Sequence, residues 1–300
     1  MLKNIFCTLF FVLIATTLVS MAYHFFKYDL SEKEAIELAT SFARKVRLED
    51  RHPFSVKDKT SKTIGLSTGK DKLFAVVSKK NKEVIQLGDA EPVEQARELL
   101  HTGKWKGKST ALFIDAGRAK ASLMEIATQI GLPGDTVVSG ISLDKYSGLW
   151  TAKWTRRYEA YVFNDDYIII SISAVSGDFC NYIKKYETED FSTKVELSQE
   201  EAIKIGLDSF SDYFTKDAWE KNKEKFEVKT AELRIVKPDE SWKHFIPFYR
   251  PRARLAWVLI LDAKEGEGRN TVGILIKDKS TLIIDAASGN ILSKEINIVP

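Results

Sequence analysis

The sequence predicts an α+β protein: an N-terminal transmembrane helix, then tandem modules of one helix packed on an antiparallel sheet. Three observations predict it. Ile5–Tyr23 is a run of 19 residues without a charge. A serine-capped helical pattern occurs at Ser31–Ala39 and again at Ser198–Gly206. A β-rich run broken by a Ser-Gly turn occurs at Ile172–Phe179 and again at Ile284–Ile291.

As a helix, the apolar run is about 28 Å long, close to the thickness of a bilayer core. Lys3 precedes it, while Lys27 beyond it is offset by Asp29. The positive side is therefore the N-terminus, which predicts a single-pass protein at the cell membrane with its C-terminal part extracytoplasmic. Ser20 and Ala22 also fit a signal peptidase site, so a cleaved leader and a secreted protein are the competing reading. The length of the run favours the anchor.

The first helix is expected over residues 31–45. Ser31 and Glu34 form a capping box, in which the serine accepts an N-terminal amide and the glutamate reaches back to the cap. Ala35, Leu38, Ala39 and Phe42 follow at helical spacing. Leu73–Ser78 and Val84–Leu87 read as a hairpin turning at Lys79–Lys82, and Val93–His101 as a second helix. A third covers 116–130, with its stripe on Ala119, Leu123, Ile126, Ala127 and Ile130 and a stop at Gly131-Leu132-Pro133. Ser198 repeats the capping box with Glu201, followed by Ala202, Ile205 and Phe210. Gly177 and Gly289 supply the positive φ that the Ser-Gly turns require. Trp154 and Trp257 mark strands upstream of each turn. Asp165–Asp166 reads as a hairpin turn, as does Arg156–Arg157. The divisions are 1–28 for the anchor or leader, 29–110 for a degenerate helix-plus-hairpin module, and 111–190 and 191–300 for two fuller modules. The expected core includes Ala35, Leu38, Trp154, Ile172, Ala202, Ile205, Trp257 and Ile284.

A Ser-capped helix, a Trp-bearing strand and Asp285-Ala-Ala-Ser-Gly-Asn-Ile291 together resemble the PepSY domain family. The second copy carries Ser173 where the motif has Asp, and the first shows no such motif. The resemblance implies an extracytoplasmic or membrane-anchored protein. Such domains occur in propeptides of thermolysin-type metalloproteases and in bacterial envelope proteins, including ones that control spore-cortex lytic enzymes. It further implies binding that restrains or protects an envelope hydrolase or peptidase, with Asp285, Gly289 and Trp257 as fold determinants.

The residues themselves announce no reaction. His24, His52, His101 and His244 share no ligand spacing, and no His-Glu-x-x-His occurs. There is no Gly-x-Ser-x-Gly and no phosphate-cradling loop. Cys180 has no histidine near it in sequence, and the two cysteines exclude a disulfide framework. The net charge of +3 argues against a dedicated nucleic-acid binder. The expectation is a non-enzymatic protein without metal or cofactor; a hydrolase with a site that no motif announces is a minor alternative.

Two stretches are candidates for partners. Trp242-Lys-His-Phe-Ile-Pro-Phe-Tyr-Arg-Pro-Arg-Ala-Arg254 mixes the residue types enriched at binding hot spots. It nominates Trp242, Phe245, Phe248, Tyr249, Arg250, Arg252 and Arg254 for protein binding. Lys57, Lys59, Lys62, Lys70, Lys72, Lys79, Lys80 and Lys82 lie within 26 residues, and Lys104, Lys106 and Lys108 flank Trp105. These nominate an anionic wall polymer or lipid surface as the alternative partner.

Overall fold

The computed structural model describes residues 30–48, 53–69, 72–101, 113–186, 191–212, 216–238, 252–264, 270–271, 274–276, 279–295 and 298–299. The apolar run at 5–23 and the stretch 239–251 lie outside these residues. Among the described residues, no helix is long and apolar enough to cross a membrane. The fold is α+β and forms two compact units. One holds residues up to 134 with 138–154 and 168–185; the other holds 135–137, 155–167 and 186 onward.

In the first unit, α1 (Glu32–Lys45) starts at the Ser31 capping box as its sequence dictates. Ala35, Ala39 and Ala43 are buried on one face, and their small side chains let the helix lie close to the sheet. That sheet runs in the order β1 (Ser55–Lys59), β2 (Thr63–Ser67), β3 (Leu73–Ser78), β4 (Glu83–Asp89), β8 (Phe179–Lys185), β7 (Tyr161–Ser173), β6 (Leu149–Tyr158), β5 (Thr136–Asp144), of which the last three strands belong to this unit only at 168–173, 149–154 and 138–144. The predicted hairpin is β3–β4, with Ser78 paired to Glu83 across its turn. β1 and β2 were not foreseen. α2 (Ala90–His101) packs on β8, and α3 (Ala116–Ile130) contacts α1. Leu38, expected in the core, is half-buried, while Trp154 and Ile172 are buried.

In the second unit, α4 (Gln199–Ser211) lies on β10 (Phe226–Val236), β11 (Ala253–Ala263) and β14 (Ser280–Asp285). Its Ala202 and Gly206 are buried; a Cβ at Gly206 would sit 2.6 Å from Leu259. Ala202, Trp257, Leu259 and Ile284 belong to one buried apolar cluster, and Ile205 is half-buried and packs against it. β9 (Phe191–Ser192) runs parallel to β11, and β15 (Ile291–Glu295) completes the sheet beside β14. Val162 and Phe163 pair in parallel with β10. α5 (Lys216–Asn222) was not anticipated; its Trp219 stacks on Phe226. A small separate sheet joins β12 (Asn270–Thr271), β13 (Ile274–Ile276) and β16 (Ile298–Val299).

Two expected turns are strand instead. Asp165 and Asp166 lie inside β7, where Asp166 is fully buried against Arg156. Local propensity favours a turn for adjacent aspartates, but an ion pair across the hairpin satisfies the buried carboxylate in an extended chain. Arg156 and Arg157 likewise lie inside β6, and the tip falls at Glu159–Ala160, where Glu159 takes a positive φ of 52°.

The two glycine corners match. Gly177 (φ 82°) donates to the Ser173 carbonyl, and Gly289 (φ 73°) to the Asp285 carbonyl, each at 2.9 Å. An added Cβ would meet Ile205 at 3.3 Å at Gly289 but Ile114 only at 3.6 Å at Gly177. Gly289→Ala should therefore lower stability by about 1 to 2 kcal/mol and Gly177→Ala by about 1, read from thermal unfolding. Equal wild-type stability for both would refute the strain argument.

Candidate functional site

The strand ends beside these corners hold the polar side chains that chemistry could use, and each is tied to the backbone. Asp285 Oδ1 accepts from the amides of Ala287 and Ser288 at 2.8 and 3.0 Å. Ser173 Oγ accepts from Val175 and Ser176 at 3.3 Å, so the serine does the aspartate's work. The neighbouring amides of Ala286 and Ala174 donate to the carbonyls of Leu255 and Gly148. Trp257 Nε1 donates to Leu197 and Trp150 Nε1 to Ile114, the residues just before the caps Ser198 and Asp115. The tryptophan equivalent to Trp257 is thus Trp150, not Trp154.

The first copy keeps half of this arrangement. Asp89 Oδ1 accepts from the Glu91 amide at 3.0 Å, and the Ala90 amide donates to Lys72 at 2.8 Å. Phe74, two residues past Lys72, stands where Trp150 and Trp257 stand. The motif is therefore present there as Asp89-Ala90; the chain then enters α2 instead of turning at a glycine.

Asp285 is further held by Arg254 at 3.1 Å. Burial alone would raise its pKa, but the two amides and Arg254 outweigh it and hold the carboxyl below its ordinary range. Of the nominated stretch, Trp242, Phe245, Phe248, Tyr249 and Arg250 lie outside the described residues. Arg252 is exposed, and Arg254 serves the Asp285 fastening. Cys180 is buried, and burial, reinforced by Asp89 and Asp178, pushes its thiol up to about 12. It is a protonated core thiol at neutral pH. A cleft of about 370 Å³ in the first unit is lined by Asp89, Glu91, Glu125 and Asp178 with Arg47, which pairs with Glu125. Among the described residues no group of His, Cys, Asp and Glu has the arrangement of a metal site.

One sheet edge open to a macromolecule is the outer edge of β5. Its sheet neighbour is β6, and the other edge is unpaired among the described residues. Val138 is 43% exposed, and Val138–Leu143 carries no charge. The opposite edge strand, β1, carries Lys57, Asp58 and Lys59 and a bulge between Val56 and Asp58, the usual protections against strand pairing. Within β5 the one charged residue is Asp144, at its end.

At the end of β5 the chain turns through Asp144–Gly148. Asp144 accepts from the Tyr146 amide at 2.9 Å and from the Ser147 hydroxyl at 2.7 Å. Those bonds, Ser147 first, lower its pKa. Gly148 closes the turn with φ 66°. The turn holds Tyr146 at 95% exposure beside the bare edge. Tyrosine is one of the residue types enriched at binding hot spots, and here its whole ring is open to a partner. Sequence reasoning missed this residue; Asp-x-x-Ser-Gly was the signal that could have found the turn.

No family model matches the chain, and no curated protein matches it. Among solved structures, the YpeB C-terminal domain of Bacillus megaterium is similar, with a TM-score of 0.48 and 13% identity, over 90% of this chain and 98% of that one. A likeness at that level carries no argument about activity or partner.

Proposed function

We propose that this chain is a non-enzymatic, PepSY-like binding protein, exported and held at the membrane by its apolar N-terminal run, that grips an envelope hydrolase or peptidase and restrains or protects it. The observation that carries this reading is the bare β5 edge with Tyr146 held beside it. An extended segment of the partner can add to such an edge, gaining backbone hydrogen bonds from Val138–Asp144 and an aromatic anchor from Tyr146. The polar groups at the strand ends support the same reading, since they fasten the fold.

The test is affinity capture from intact envelopes with the full chain and with a Val138→Lys, Tyr146→Ala variant. Both positions are exposed, so thermal stability should stay within about 0.5 kcal/mol of wild type. Capture of a hydrolase should fall at least about tenfold, the loss of one hot-spot contact. Undiminished capture would reject the edge as the docking surface, and hydrolytic turnover by the purified chain would reject the non-enzymatic reading.

A further inference from the structure

Two hairpin turns of the first unit come together at one end of its sheet. The turn after β1 (60–62) and the turn after β3 (79–82) are joined by a hydrogen bond from the Lys79 amide to the Lys62 carbonyl at 2.9 Å. Lys79 Nζ also donates to the Thr60 carbonyl at 2.6 Å. The start of α1 lies at the same end: Lys59 pairs with Glu32 in its first turn, and the charge of Lys82 reaches Glu34. Folding therefore gathers Lys57, Lys59, Lys62, Lys79, Lys80 and Lys82, of which all but Lys79 are exposed. Three nearby acids also have partners of their own. Glu32 holds Lys59, Glu34 holds the Ser31 cap, and Glu83 holds Lys184.

The position of this cluster along the chain matters. Ser31 caps α1 and follows the last residue of the apolar run, Tyr23, by eight residues. Even fully extended, eight residues reach about 28 Å. If residues 5–23 anchor the chain, the start of α1 and the lysines around it stay within that distance of the bilayer. A soluble polyanion could meet lysines anywhere on the surface; a membrane can meet only those the tether keeps beside it.

We propose that the paired turns form a lysine platform that rests on the anionic phosphate headgroups of the membrane from which the chain emerges. This inference rests on the anchor reading of residues 5–23 and does not depend on the β5 edge. Contact with headgroups would orient the first unit on the membrane, and Lys62 and Lys82 are the residues that meet the phosphates.

The full chain can be placed in nanodiscs of pure phosphatidylcholine and in nanodiscs with one third phosphatidylglycerol, then acetylated at its amines and read by mass spectrometry. Lys62 and Lys82 should react about fivefold more slowly in the anionic discs, the factor expected for each lysine near such a surface. The exposed Lys145 should not change. High salt should erase the difference, because the attraction is screened within about 10 Å at 0.1 M. Equal rates in both discs, with the chain retained by both, would overturn the platform and leave the anchor standing. Failure of either disc to retain the chain would overturn both. Slowing by added poly(glycerol phosphate) but not by anionic lipid would overturn the lipid assignment in favour of a wall polymer.

Discussion

Arg156→Ala should be among the most destabilising single changes in the second unit, costing about 3 to 5 kcal/mol. Arg156 donates through Nε to Asp135 at 2.8 Å and through Nη1 to Asp166 at 3.1 Å. Its guanidinium also lies 4.5 Å from the ring centre of Phe163, which is buried. Burial alone would make the arginine easier to deprotonate, but the two carboxylates reverse that and raise its pKa. Removing it takes the cation from a carboxylate that has no exposure to water, and the penalty falls on Asp166 rather than on the lost pair. The Arg156→Ala, Asp166→Asn double variant should therefore recover at least about 1 kcal/mol relative to Arg156→Ala alone. Urea unfolding followed by tryptophan fluorescence would measure both. A single-variant cost below about 1 kcal/mol would show that the pair is an ordinary surface bridge.

The same pair shows what the sequence could and could not reveal. Helices were legible because caps and stripes are local: Ser31 with Glu34, and Ala119 with Leu123 and Ala127, need no tertiary knowledge. The glycine corners were legible because a positive φ restricts residue choice. Asp166 was not, since the residue that makes an extended conformation affordable lies ten positions away on another strand. The tryptophan register failed for a different reason. Trp150 and Trp154 are four apart on β6, so they point to one face, and alternation cannot choose between them. A hydrogen bond from Trp150 to Ile114 makes the choice, and no sequence pattern encodes it. Asp89-Ala90 escaped because the glycine half of its motif is replaced by a helix beginning at Ala90. Tyr146 escaped because its exposure is a property of the edge around it.

Asp285→Ala should cost about 2 to 3 kcal/mol, because it deprives the amides of Ala287 and Ser288 and the Arg254 guanidinium of one acceptor together. Asp285→Ser should cost less, because the serine at the equivalent corner already accepts from two amides. The titration gives a second, independent readout. Asp285 has a folded-state pKa below its ordinary value, so its contribution is fully present above the unfolded pKa, about 3.9. It is lost as pH falls below that value and through the lower folded pKa. The wild-type chain should therefore lose stability on acidification below about pH 4, and Asp285→Asn, which keeps an amide acceptor without a charge, should flatten that part of the profile. Parallel acid profiles for wild type and Asp285→Asn would mean that the carboxylate charge contributes nothing, and would return the corner to the two neutral hydrogen bonds that Ser173 makes with no charge at all.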